Sequence, residues 1–331
     1  MNTLRPSISA WLYSLVVLLF AIRACTAQTF DRIVVFGTSL SDSGNFFALT
    51  HTNNVPPAYQ VDAYLLPYAA YAIGGHHMSN GPTWIEQFAQ PLGLSWSVEP
   101  SLSGATGATD YAVNGARAWA SGHTVNGIDI SLSAQVNWFL QAFDNSAPPD
   151  ALYVVEMGSN DIYDALLAYI TGGGPSAANT ILTDALNTIA ARLQDLYNAG
   201  ARRFLIVNVP DLSVIPAVSI LDASIPGDGV APLARFLTGE FNSQLENIKD
   251  GLAAVDTGGY VKMLNAYKET DDIVADPEAF GLINATQACI KPDVPPFTCQ
   301  TPNQYLFWDG EHPTRAGAAN FAREADGIPG L

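Results

Sequence analysis

The sequence predicts an α/β protein: a three-layer α/β/α sandwich around a five-stranded, mainly parallel sheet. Three observations carry that prediction. Short apolar, β-rich runs alternate along the chain with longer runs of helical periodicity. Three of the short runs are apolar nearly end to end, the pattern of strands covered on both faces. No Pro/Gly/Ser-rich linker and no internal repeat interrupts the alternation, so residues 28–331 read as one domain behind a short leader.

Composition narrows the class. Of 331 residues, 48% are hydrophobic and only 14% charged, which excludes a disordered or low-complexity chain. The net charge of −17 repels phosphate backbones and anionic membrane surfaces, so no nucleic acid is expected as a partner. Three Cys exclude a disulfide-dense scaffold, and no Cys-x-x-Cys or His-x-x-x-His spacing suggests a metal.

Taken in order, residues 1–27 read as a secretory signal peptide. Arg5 precedes the apolar run SAWLYSLVVLLFAI (9–22), which is short for a bilayer span, and Cys25 and Ala27 suit cleavage after Ala27. A membrane anchor is the competing reading. A secreted, extracellular monomer is therefore expected. The strand candidates are Ile33–Gly37 (IVVFG), a weaker run at Leu94–Val98, Ala151–Gly158 (ALYVVEMG), Arg203–Val209 (RFLIVNV) and Tyr260–Ala266 (YVKMLNA). Helical periodicity covers Ser131–Phe143 after a Ser N-cap, and Asn179–Tyr197 before the stop signal Asn198-Ala199-Gly200. It returns over Leu233–Leu252 and Pro313–Ala325. Gly172-Gly173-Gly174-Pro175 reads as a loop between helices. Phe46–Thr83, rich in Tyr, Pro, His and Asn, reads as a long ordered surface loop. Cys289 and Cys299 are the two cysteines left after the leader, and a disulfide is expected between them in an oxidising compartment. Asn284 heads the only glycosylation sequon.

Four segments have chemical potential. In IVVFGTSLSDSGN, Ser39 follows a buried strand, at the edge where open α/β sheets place ligands. A hydroxyl there is a nucleophile if a base lies nearby, and otherwise part of a helix-capping turn. In Phe307-Trp308-Asp309-Gly310-Glu311-His312-Pro313-Thr314, Asp309 is placed to fix the tautomer of His312, leaving the other ring nitrogen as a base. Helix capping is the alternative. In Gly158-Ser159-Asn160-Asp161, the Asn160 amide either donates to a developing oxyanion or caps a helix starting near Ile162. In Thr109-Asp110-Tyr111-Ala112-Val113-Asn114-Gly115-Ala116, Gly115 offers a backbone N–H to the same place. The remaining histidines, His51, His76, His77 and His123, lie in loops, and the His76–His77 pair is expected at the surface.

In this order the four segments resemble the GDSL, or SGNH, family of ester hydrolases, from about Ile33 to Ala319. The blocks are Gly37-Thr38-Ser39-Leu40, Asn114-Gly115-Ala116, Gly158-Ser159-Asn160-Asp161 and Asp309-Gly310-Glu311-His312-Pro313-Thr314. Val209-Pro210-Asp211-Leu212-Ser213-Val214-Ile215-Pro216 is similar to the branch with secreted lecithinase/haemolysin-like and carbohydrate-esterase-like members. Two positions depart from the pattern: the Asp usual before the nucleophile is Thr38, and a Gly usual before Gly115 is Asn114. The first is expected to be tolerated; the second puts the oxyanion loop's donor in question.

The resemblance implies a flavodoxin-like SGNH-hydrolase fold and acyl transfer to water without metal or cofactor. Ser39 would attack, His312 act as base and Asp309 orient it, with Ser39, Gly115 and Asn160 holding the oxyanion. Short-chain acyl or acetylated-sugar esters are the leading substrate class. Lipid esters or phospholipids come second. A non-catalytic secreted polysaccharide-binding protein on the same fold is the rival from another class. Tyr59, Tyr64, Tyr68, Tyr71 and Trp84 would stack on sugars, line an acyl groove or only pack the loop.

Overall fold

The architecture was read from a computed structural model that describes residues 30–50, 76–119, 123–225, 227, 229–256, 258–290 and 299–331. Strands β1 (Arg32–Gly37), β4 (Ala151–Glu156), β5 (Arg203–Val207) and β6 (Tyr260–Leu264) form one parallel sheet in the order β1-β4-β5-β6. The registers Gly37↔Glu156, Glu156↔Val207 and Val207↔Leu264 align the carboxyl ends. The segments after β1 and β4 therefore leave the sheet along one edge, which is where the sequence put Ser39 and Asn160.

β1, β4 and β5 are apolar nearly throughout because both faces are covered, while β6, at the end of the sheet, is mostly half-buried. Val34, Phe36, Tyr153, Val155, Phe204 and Ile206 face one core, with α3 (Leu132–Ala142), α4 (Ser159–Ala168), α5 (Gly174–Ala199) and α7 (Val230–Val255). Their strand neighbours Ile33, Val35, Leu152, Val154, Leu205 and Val207 face the other, with α2 (Trp84–Ala89) and α9 (Arg315–Asp326). This alternation of period two, with helices on both sides, is the expected three-layer sandwich.

The fifth strand is not where the sequence suggested. Leu94–Val98 forms a 3₁₀ turn over Ser95–Val98. Ser97 is the physical reason: its hydroxyl donates to the Leu94 carbonyl (2.8 Å) and accepts from the Ile33 amide (3.2 Å), so a side chain meets β1 in place of a backbone ladder. The position beside β1 is taken by residues 109–113. The Val35 amide donates to the Thr109 carbonyl (2.9 Å), and the Tyr111 and Val113 amides donate to Val35 and Gly37 (2.8 and 3.1 Å).

The predicted helices are present with shifted ends. Ser131 caps α3 as expected, accepting from the Ala134 amide. The Gly-rich loop shrinks to a π-helical turn, Tyr169–Gly173, with Gly172 at φ 106°. Gly174 and Pro175 already belong to α5, Pro suiting a first turn. The long loop is also corrected at its start. Residues 45–50 form α1 (Asn45–Thr50), because the Asp42 carboxylate accepts the amides of Gly44, Asn45 and Phe46. His51 and Tyr59, Tyr64, Tyr68 and Tyr71 lie outside the described residues, as do residues 1–27, for which a signal peptide is expected.

A hairpin of β2 (Thr124–Val125) and β3 (Ile128–Asp129) precedes α3, α6 (Pro216–Ser224) precedes α7, and α8 (Ala266–Ala275) follows β6. β7 (Asn284–Ala288), headed by Asn284, pairs in parallel with β8 (Tyr305–Phe307). Cys289 and Cys299 are joined as a disulfide (Cα–Cα 5.6 Å) behind β7. Among the described residues no helix is long and apolar enough to cross a membrane, and no group of His, Cys, Asp and Glu is placed to hold a metal.

Candidate active site

Gly37 ends β1, and the chain turns at once: the Ser41 and Asp42 amides both return to the Thr38 carbonyl (3.1 and 3.0 Å). Ser39 sits in this turn. Gln135 of α3 secures the strand end below it, accepting from the Gly37 amide and donating to its carbonyl (both 2.9 Å). Asp42, fully buried, also accepts the Asn114 amide (2.8 Å) and so ties the Ser39 loop to the Gly115 loop. Burial pushes the Asp42 pKa up to about 6 against the pull of those amides. Asp110 lies beside it, holding Ser43 and Ala112. Its pKa is raised well above the carboxylate range by burial and by the Asp42 charge.

Gly115 has φ 79°, a conformation that favours glycine, whereas Asn114 keeps an ordinary negative φ. The departure at Asn114 therefore requires no strained backbone. The Gly115 carbonyl accepts from Arg117 (2.6 Å), whose guanidinium pairs with Asp164 of α4.

After β4, Gly158 turns the chain into α4 at φ 131°, and a Cβ there would meet Phe241 at 2.5 Å. The helix starts at Ser159, not near Ile162, and Asn160 does not cap it. The Asn160 Nδ2 instead donates to the Ala116 carbonyl (2.9 Å), against the Gly115 loop. Asp161 accepts the Ala118 and Trp119 amides (both 2.8 Å), and its burial raises its pKa to about 6.

His312 follows β8 on a turn shaped by Asp309. One carboxylate oxygen accepts the Glu311 and His312 amides (2.8 and 2.7 Å); the other lies 2.8 Å from the His312 Nδ1. Both side chains are buried. The loop is braced from residues 79–87: the Ser79 hydroxyl donates to the Pro313 carbonyl and the Arg315 amide to Asn80 (both 2.7 Å). His77 corrects the expectation of a surface pair. It is buried, with its Nε2 2.8 Å from Glu86, while His76 is exposed.

Ser39, Asn160 and His312 line one pocket at this edge of the sheet, with Leu40, Trp84, Tyr163, Leu212, Ile215, Phe307 and Phe321 as its apolar walls. Gly115 is not in the lining, but its neighbour Ala116 is bonded to Asn160.

Residues 33–325 match the model of the GDSL-like lipase/acylhydrolase family. The chain belongs to that family. The GDSL-family chain is a carboxylic ester hydrolase. A GDSL esterase/lipase of Arabidopsis thaliana is 25% identical over 338 residues, covering 92% of this chain and 94% of the relative. A phosphatidylcholine-sterol acyltransferase of Aeromonas hydrophila is 30% identical over 267 residues, 80% of this chain and 67% of the relative. Among solved structures, a catalytic mutant of an acetylxylan esterase from Geobacillus stearothermophilus matches with TM-score 0.46 and 12% identity, over 91% of this chain and 94% of that one.

The amide-holding roles of Asp42, Asp110, Asp161 and Glu156, and the bonds Gln135 makes to Gly37, are seen only in the structure, although Asp110 and Asp161 lie inside the motif segments. The one available signal was Glu156 itself, an acid inside the otherwise apolar ALYVVEMG.

Proposed function

We propose that this hydrolase cleaves its ester through Ser39, His312 and Asp309. The observation that carries the reading is the convergence of Ser39, Asn160 and His312 on one pocket with Asp309 against the His312 Nδ1. With Nδ1 engaged, Nε2 is the ring nitrogen that takes the Ser39 proton as the hydroxyl attacks the carbonyl. The tetrahedral oxyanion is held by the Ser39 and Gly115 amides and by the second N–H of the Asn160 amide. Collapse expels the alcohol, protonated by His312. The same imidazole then activates water against the acyl-enzyme and frees Ser39.

Short-chain acyl esters, acetylated sugars among them, are the favoured substrates. Trp84 begins α2 and stands in the pocket wall with its indole fixed to Ser41 (3.0 Å), a rigid apolar surface for a small acyl group. The relative named as a phosphatidylcholine-sterol acyltransferase favours a lipid ester as the second reading. We further propose one hydrolase domain over residues 28–331, secretion after cleavage of residues 1–27, glycosylation at Asn284 and action as a monomer.

A fluorophosphonate probe followed by peptide mass spectrometry tests the nucleophile: the adduct belongs on Ser39. A chain that binds polysaccharide but takes no label is the outcome that overturns the reading. A panel of p-nitrophenyl esters from acetate to palmitate then separates short acyl groups from lipid-like ones.

A further inference from the structure

Glu156 is the last residue of β4, directly opposite Gly37 in the sheet, and only 3% exposed. Its side chain crosses above Gly37: a Cβ on Gly37 would lie 3.0 Å from its Oε2. It ends among donors from the turn that carries Ser39. Oε2 accepts the Thr38 amide (3.0 Å) and the Ser41 hydroxyl (3.2 Å), and the Thr38 hydroxyl reaches both oxygens (3.1 and 3.0 Å). The Trp84 indole N–H donates to Ser41 (3.0 Å), which directs the single Ser41 proton toward Glu156. One carboxylate thus grips the residue before Ser39 and the residue two after it.

We propose that Glu156 is a positioning residue for the Ser39 nucleophile, clamping both flanks of its turn through Thr38 and Ser41. The inference rests on the reading of Ser39 as nucleophile. It also gives the departure at position 38 a physical meaning. A carboxylate at that position would face Glu156 at hydrogen-bond distance, a like-charge contact in a buried site, whereas threonine supplies two donors to it. All three turn groups are donors, so the geometry calls for an acceptor-only carboxylate. Burial pushes the Glu156 pKa up to about 7, opposed by the Thr38 and Ser41 hydrogen bonds, so the acceptor-only form that the three donors call for is reached as pH rises past about 7.

The test uses the wild type, Glu156→Gln, Thr38→Val and the double variant. Each is titrated to completion with a fluorophosphonate probe, so that rates are counted per active site, and assayed on p-nitrophenyl acetate. A nucleophile displaced by about 1 Å loses on the order of 10²-fold in rate. Glu156→Gln and Thr38→Val are expected to lower kcat by about 10- to 100-fold with KM within about twofold. The double variant is expected to fall no further than the worse single one, because both remove the same clamp. A Glu156→Gln protein with kcat per site within about twofold of wild type, or losses that multiply in the double variant, overturns the proposal. If Glu156→Gln does not fold, Thr38→Val decides alone, and an unchanged kcat overturns it. The site of the wild-type adduct separates the two readings: an adduct away from Ser39 overturns the nucleophile assignment itself, whatever Glu156 does.

Discussion

Replacing Asn160 by Ala distinguishes chemistry from capping in one experiment. The structure removes the capping role, since α4 starts at Ser159 behind Gly158 and the Asn160 amide turns away to the Ala116 carbonyl. Truncation costs that one hydrogen bond, about 1 kcal/mol of stability. The larger loss falls on the transition state. The second N–H of the amide meets charge that exists only after attack, so it stabilises the barrier more than the bound ester. A donor of this kind is worth roughly 2.7–4 kcal/mol, or about 10²–10³ in kcat, with KM nearly unchanged. The assay measures kcat, KM and the thermal midpoint on one preparation, with active sites counted by probe titration. A lowered midpoint with unchanged kcat per site would refute the reasoning and leave Asn160 as a brace for the Gly115 loop.

Other expectations follow from the same geometry. Ser39→Ala should retain the wild-type circular dichroism spectrum and midpoint while losing on the order of 10⁶ in turnover; residual hydrolysis near the wild-type rate would remove Ser39 from the mechanism. Gly158→Ala should destabilise by more than about 1–3 kcal/mol in denaturant titration, because the new Cβ meets Phe241 at 2.5 Å and Val209 at 2.8 Å from a backbone at φ 131°. Cys289→Ser should lower stability by at most roughly 3 kcal/mol for so short a loop, seen as a lower midpoint, and the denatured, unreduced wild type should show no free thiol from this pair. Stability should fall as pH rises. Burial raises Asp42 and Asp161 from 3.8 to about 6 and Glu156 from 4.5 to about 7, so the folded chain holds these protons more tightly than the unfolded one. The Glu156 contribution is complete below 4.5 and is lost as pH passes about 7. Midpoints measured from pH 4.5 to 8 should decline, and Glu156→Gln should flatten the slope; a parallel slope in that variant would contradict the assignment.

What could be read from the chain was whatever needed no distant partner. The strands β1, β4 and β5 showed themselves because burial on both faces requires nearly continuous apolar runs. Asp309 and His312 were recognisable as a pair because they are three residues apart, and the turn that joins them is local. Asn160 was ambiguous, since helix capping and oxyanion binding call for the same residue after the same glycine; only its bond to the Ala116 carbonyl, 44 positions away, and the N-cap at Gly158 show that it does not cap. The fifth strand was misplaced because Leu94–Val98 has apolar residues at alternate positions, and nothing local reveals that Ser97 spends its hydroxyl on Ile33. Glu156 gave a signal, an acid in an apolar run, but not its partner. It lies 118 positions from Thr38, and an acid ending an apolar strand looks like the strand's solvent-facing edge.

The buried acids share a logic that ties the fold to the chemistry. Asp42, Asp110, Asp161 and Glu156 each hold backbone amides in the segments that follow β1 or run through and beyond residues 109–113. Those segments carry Ser39 and Gly115, and Asn160 is bonded to the second of them through the Ala116 carbonyl. A short carboxylate can accept several amides at once and fixes irregular backbone where regular structure cannot. The cost is charge removed from water, which appears as raised pKa values and as stability lost toward neutral pH. Apolar side chains at these positions would avoid the cost of buried charge but would leave the amides of the Ser39 turn and the Gly115 loop unpaired, at about 1–3 kcal/mol each. The acids therefore mark where the fold accepts buried charge to hold the Ser39 turn and the Gly115 loop in one geometry. Thr38 fits that arrangement, since a donor beside Glu156 adds to the network and an acid would break it.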